Sequence, residues 1–99
     1  MSHRGSLLLL PSGIWAWPVT EPSEITAETL APVIAEADRI GLLLIGTGHA
    51  RWQLPANLMQ LFAAHRISAE TSRTGQAANT YNILLEEGRR VAAALLAVD

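Results

Sequence analysis

Apolar residues fall in short blocks along this chain, each closed by polar residues, glycine or proline. Leu7 to Leu10 is an unbroken apolar run between Gly5-Ser6 and Pro11-Ser12-Gly13, the pattern of a buried strand. Ile14 to Val19 alternates large and small residues, and the Pro-Ser-Gly break before it predicts a hairpin with the first strand. After the polar connection Glu21-Pro22-Ser23-Glu24, the residues Leu30, Val33, Ile34 and Ala37 recur at the spacing of one helical face. Two starts are open to that helix. With Thr26 as N-cap, Pro32 falls in the interior, at a cost of ~3 kcal/mol or more. With Thr29 as N-cap, Pro32 sits in the first turn, where its missing N–H matters little. A regular helix from Thr29 to Arg39 is therefore expected.

From Gly41 the elements alternate in type. Leu42 to Ile45 is apolar throughout, as for a strand covered on both faces. Pro55 is placed to open a helix carrying Leu58, Leu61, Phe62 and His65 on one side. Ile67 to Thr71 follows as a short strand. Thr74 can cap a third helix with Ala77, Ala78, Tyr81, Leu84 and Leu85 inward, and Gly88 is placed to end it in the left-handed conformation. Val91 to Val98 closes the chain as an apolar strand. Strand, helix, strand, helix, strand with short connections predicts crossovers and a parallel core sheet, which the hairpin extends or covers. The expected fold is one α/β domain over residues 1–99, an N-terminal hairpin followed by βαβαβ with a mixed sheet.

Composition narrows the function more than the fold. At 99 residues there is material for one core and not two. With 49% hydrophobic and 16% charged residues the chain is globular in composition, and with one Phe and one Tyr its core must be mainly aliphatic. A net charge of −2 gives no long-range attraction to nucleic acid or to an anionic membrane. The absence of cysteine excludes disulfides, thiol catalysis and thiolate metal sites. Leu7 to Leu10 is too short for a signal-peptide core, and no apolar run approaches the ~20 residues that span a bilayer. A cytoplasmic protein without membrane insertion is expected.

Candidate chemistry is sparse. Gly46-Thr47-Gly48 leaves the carboxyl end of a predicted parallel strand, where open α/β sheets place ligands. The third glycine of a dinucleotide fingerprint is replaced by Arg51, and no Lys-Ser or Lys-Thr makes a phosphate loop. The competing reading is a tight turn that needs glycine. His3, His49 and His65 lack metal-ligand spacing; His65 is expected to pack or cap its helix, while His49 stays a candidate contact beside the turn. No Gly-x-Ser-x-Gly occurs, Glu86 and Glu87 diverge on a helix, and Arg89-Arg90 suit a helix C-terminus. No catalytic residue, metal or cofactor is assigned. Asn79, Asn82 and Glu86 share the polar face of the third helix, an unusual use of asparagine on a plain solvated surface. The candidate ligand site, for a small anion, is thus Gly46, Thr47, Gly48, His49, Thr74, Asn79, Thr80 and Asn82. Trp15, Trp17 and Trp52 form the candidate partner surface, with one of them expected to be well exposed.

Four phrases share an order and spacing with one family: Gly5-Ser6-Leu7-Leu8-Leu9-Leu10-Pro11, Leu44-Ile45-Gly46-Thr47-Gly48, Thr80-Tyr81-Asn82-Ile83-Leu84, and Glu87-Gly88-Arg89-Arg90-Val91-Ala92-Ala93-Ala94-Leu95-Leu96. The chain resembles the uncharacterised-domain family that includes a mitochondrial respiratory complex I assembly factor and an adipogenesis-associated Mth-type domain protein. The resemblance implies a three-layer β/β/α fold and action through protein partners, with no established reaction. An assembly or interaction module is the leading expectation, with an unidentified protein partner or a homodimer. The alternative is a small-molecule binder or minor enzyme at the Gly46-Thr47-Gly48 cleft. The chain departs from the family pattern in three places. A preceding strand-bearing segment is expected to be missing, which would leave an unpaired sheet edge. Asn79 replaces an arginine, for which Arg73 is the nearby substitute, and Ser72 replaces a methionine.

Overall fold

The computed structural model describes residues 5–49 and 52–97. Strand β1 (Ser6–Leu10) turns through Pro11-Ser12 into β2 (Gly13–Trp17), and the two pair antiparallel with Leu8 opposite Trp15 and Ser6 opposite Trp17. Strand β3 (Leu42–Gly46) lies parallel between β4 (Ser68–Ser72) and β5 (Val91–Leu95), and β5 pairs antiparallel with β1. The result is one mixed five-stranded sheet in the order β2-β1-β5-β3-β4. The hairpin extends the sheet instead of covering it. The expected order of hairpin followed by βαβαβ stands.

Alternation along the strands sorts the apolar residues to two sides. Leu8, Leu43, Ile45, Ala92 and Ala94 pack with Val33 of α1 (Ala31–Ala35) and with Leu58 and Phe62 of α2 (Ala56–Ala64). Leu44, Ala93 and Leu95 pack on the other side with Ala77, Tyr81 and Leu84 of α3 (Thr74–Glu86). Among the described residues the mixed sheet carries α1 and α2 on one side and α3 on the other, an α/β fold as expected. All five residues of β5 are buried, three of them alanine, and α3 packs closely against it. Each larger aliphatic side chain buried this way contributes roughly 1.5–3 kcal/mol.

Several predicted boundaries moved, including those of β2, β4 and β5, and two of the changes have a side-chain cause. The expected helix from Thr29 to Arg39 is a single α-helical segment, Ala31–Ala35, followed by a 3-10 turn at Ala37–Arg39. Pro32 does lie in the first turn. Thr29 is not the N-cap; its hydroxyl is bound to the Glu24 and Thr26 carbonyls, and Leu30 takes the cap position. At the far end Glu36 leaves helical geometry, and its carboxylate accepts bonds from the hairpin turn at Ser12 and from Arg39. A shorter 3-10 turn is also built at Pro22–Glu24. The second change is in α3, which starts at Thr74 with Arg73 as N-cap, because the Thr74 hydroxyl is engaged elsewhere.

The two longer helices end alike. Gly88 (φ +77°) follows α3, the Gly88 N–H donates to Leu85 and the Arg89 N–H to Leu84. This is the glycine-closed end that the sequence predicts. Arg66 (φ 60°) follows α2 with the same two bonds, Arg66 to Ala63 and Ile67 to Phe62. There a residue with a Cβ holds a conformation that favours glycine. His65 is exposed at the C-cap position of α2, so it does not pack.

Candidate functional site

Strand β3 leads into α2 on one side of the sheet and β4 leads into α3 on the other. A crevice must therefore open between the carboxyl ends of these neighbouring parallel strands. Gly46-Thr47-Gly48 lies at this point, and both glycines have a physical reason. A Cβ on Gly46 would lie 2.8 Å from the Thr74 Cα and 3.1 Å from a Leu95 methyl, so a side chain there would force α3 away. Gly48 has φ +72°, the left-handed region.

The polar groups around this turn hold one another. The Gly48 N–H donates to the Thr74 hydroxyl at 2.8 Å, and that hydroxyl donates to the Leu96 carbonyl at 2.8 Å. The Leu96 N–H donates to the Gly46 carbonyl at 2.9 Å. Thr47 is 2% exposed and gives both its N–H (2.9 Å) and its hydroxyl (3.2 Å) to the Ser72 carbonyl. One cluster thus ties together the ends of β3, β4 and β5 and the start of α3. Of the residues the sequence singled out as a ligand site, Gly46, Thr47, Gly48 and Thr74 meet here. His49 is exposed beside them, and Arg51 lies outside the described residues. Asn79 and Asn82 are exposed on the outer side of α3 and Thr80 is half-buried on its flank; none of the three lines the crevice.

What opens onto the crevice, whose volume is about 500 Å³, is another set: Trp52, Gln53, Thr71, Arg73 and Gln76, with Thr47 at its base. Arg73 and Gln76 are three positions apart at the start of α3 and so share a flank. That spacing was legible in the chain, but the choice of polar flank depends on where the helix meets the sheet.

The tryptophans separate. Trp17 is 3% exposed, and its indole N–H donates to the Thr29 carbonyl at 2.8 Å. Trp52 is half-buried against the main core. Trp15 is 52% exposed and Ile14 beside it is 71% exposed. The Trp15 indole N–H donates to the Ser12 hydroxyl at 2.9 Å, and Ser12 in turn donates its N–H and hydroxyl to the Glu36 carboxylate. Trp15 also lines a groove of about 350 Å³ with Leu8, Leu10, Pro32 and Ala35. The sequence did not reveal a second anchor of this hairpin. Buried Ser6 donates to the Val19 carbonyl at 2.6 Å and accepts from the Ala97 N–H at 2.9 Å.

Among the described residues two titrating groups are shifted. Hydrogen bonds from the Thr20 N–H, the Thr20 hydroxyl and the Glu21 N–H hold the Glu24 carboxyl below its ordinary range. Burial beneath α3 pushes the Tyr81 phenol up. Neither group lines the crevice. Among the described residues no cluster of His, Asp and Glu could hold a metal, and no helix is long and apolar enough to cross a membrane.

Fold and surfaces together define a small α/β domain: a mixed sheet with its switch-point crevice at one end and an apolar strand at one edge. The chain belongs to the family described as a protein of unknown function (DUF498/DUF598), which it matches over residues 1–96. An uncharacterised protein of Rhodobacter capsulatus is 39% identical over 94 residues, covering 95% of this chain and 70% of that one. The mouse NADH dehydrogenase [ubiquinone] 1 alpha subcomplex assembly factor 3 is 32% identical over 92 residues, covering 93% of this chain. The chain spans 50% of the length of that assembly factor. Among solved structures, one named as an outer membrane protein from Bartonella henselae superposes with a TM-score of 0.92 at 47% identity, covering 100% of this chain and 83% of that one. A Bordetella pertussis protein described as a Mth938-like domain superposes with a TM-score of 0.81 at 30% identity, covering 94% of this chain and 73% of that one.

Proposed function

We propose that this chain is a non-enzymatic assembly or protein-interaction module that docks a protein partner along β2. One observation carries the reading: Ile14 (71% exposed) and Trp15 (52% exposed) are consecutive on an edge strand and present large apolar side chains on its two faces. Large apolar residues on an edge are normally covered or replaced by charge, because such an edge recruits further chains. Here Trp15 is held in place, since it is bonded to Ser12 and Ser12 to Glu36. An extended segment of a partner can pair with the β2 backbone while an apolar side chain enters the groove beside Trp15. Aromatic anchors of this kind supply most of the affinity at protein interfaces. Similarity to complex I assembly factors supports a protein as the partner. We take the site of action to be the cytoplasm.

The test is affinity capture from the source cell with the wild-type chain and with the double variant Ile14→Ser, Trp15→Ser. Both positions are exposed, so circular dichroism should show the variant folded. A protein recovered with the wild type and lost with the variant is the expected result. Equal recovery with both would refute docking at β2, and recovery of only a second copy of this chain would replace the partner by a homodimer.

A further inference from the structure

We infer that the crevice between the carboxyl ends of β3 and β4 binds a small molecule with one oxyanion group and a flat apolar body, the oxyanion on Arg73 and the body against Trp52. The crevice is far from β2, which forms the opposite edge of the sheet, so this site stands or falls separately from the docking surface.

Size comes first. At about 500 Å³ the space lies within the range of small-ligand sites. Among the described residues its lining has a single charge: Arg73 contributes a guanidinium, no carboxylate lines the crevice, and Arg73 forms no ion pair. The cavity at the opposite end of the strands differs: Arg89 and Arg90 line it together with Glu70, which offsets part of their charge. An unopposed guanidinium presents paired N–H groups that match the two oxygens of a carboxylate or phosphate. Gln53 and Gln76 flank it with amide groups that can donate to further oxygens. Thr71 adds a hydroxyl.

Trp52 is half-buried and packs against the main core, so the indole is fixed from behind while part of it faces the crevice. A rigid aromatic surface beside a cation suits a planar group carrying one negative charge. The base is equally fixed, because Thr47 is held on the Ser72 carbonyl.

The experiment follows the indole N–H of Trp52 by two-dimensional NMR, with the signal assigned by Trp52→Phe, as benzoate, phenyl phosphate or neutral benzamide is added. A saturable shift with benzoate or phenyl phosphate and none with benzamide is expected, and the anion that saturates identifies the preferred headgroup. Arg73→Gln should weaken binding about tenfold or more, as for loss of a charge-assisted pair. Arg73→Lys should recover part of it, and Arg89→Gln should leave it unchanged. Because Arg73 is exposed, the melting temperature of its variants should stay that of the wild type. No saturable shift with either anion, an equal shift with benzamide, or undiminished binding by Arg73→Gln would each overturn the assignment.

Discussion

At one edge of the sheet β2 reads Gly-Ile-Trp-Ala-Trp, and at the other β4 reads Ser-Ala-Glu-Thr-Ser. Strand β4 follows the usual solution for an edge: short, polar and carrying a charge, it offers little to a passing strand. Strand β2 is as short but apolar, and its two tryptophans are treated oppositely. Trp17 is sunk into the core and bonded to the Thr29 carbonyl, whereas Trp15 is bonded to the turn and left half in solvent. The difference separates residues that hold an edge in place from residues that the edge displays. Strand β4 instead leads into the crevice, where the carbonyl of its last residue, Ser72, accepts two bonds from Thr47.

The largest expected effect probes the anchoring of β2. Trp17→Ala removes a buried aromatic side chain and should cost about 3–5 kcal/mol, against less than about 1 kcal/mol for Trp15→Ala. Urea denaturation followed by circular dichroism measures both. Similar losses at the two positions would abolish the distinction between anchor and display.

At the β4 end, Thr74→Val deletes the hydroxyl shared by the Gly48 N–H and the Leu96 carbonyl. Leaving those groups unpaired should cost about 1–3 kcal/mol, read from the same denaturation curves. A further effect lies just before β4 and has the opposite sign. Arg66→Gly relieves a left-handed backbone at the end of α2 and should stabilise by roughly 0.5–1 kcal/mol, the net of strain relief and added chain entropy. A lower melting temperature for Arg66→Gly would contradict that expectation.

The smallest effect is in pH and concerns the segment after β2. The Glu24 carboxyl is held below its ordinary range, so in the window between its folded and unfolded values the native chain binds fewer protons. Its contribution is therefore present above the ordinary carboxylate range and is lost as pH falls through the lowered value. Because the group is exposed, solvent screening keeps the effect small. Comparing wild type with Glu24→Gln, the gap in melting temperature should shrink as pH falls from neutrality to about 3; a gap constant with pH would refute it.

Much of this was legible in the sequence. Unbroken apolar runs predicted β1, β3 and β5, since a strand buried on both faces needs no polar alternation. Gly88 predicted the end of α3, since its backbone there requires positive φ. The displayed pair was only half visible. Trp15 and Trp17 share a strand side, and nothing local says that Trp17 reaches the Thr29 carbonyl. The short α1 was hidden for the same reason, because the Glu36 carboxylate is tied to a turn 24 residues away in the chain. The crevice lining depended on topology: Arg73 and Gln76 face Trp52 only once β3 and β4 lie side by side. The glycines at its mouth were found, but their physical role is close approach and turn geometry.

The most direct measurement of the central claim is amide hydrogen exchange on the chain alone and with its captured partner. The account expects added protection across Gly13 to Trp17 on partner binding, with Ser68 to Ser72 unchanged. Protection at β4 or on α3, with β2 exchanging as in the free chain, would contradict it.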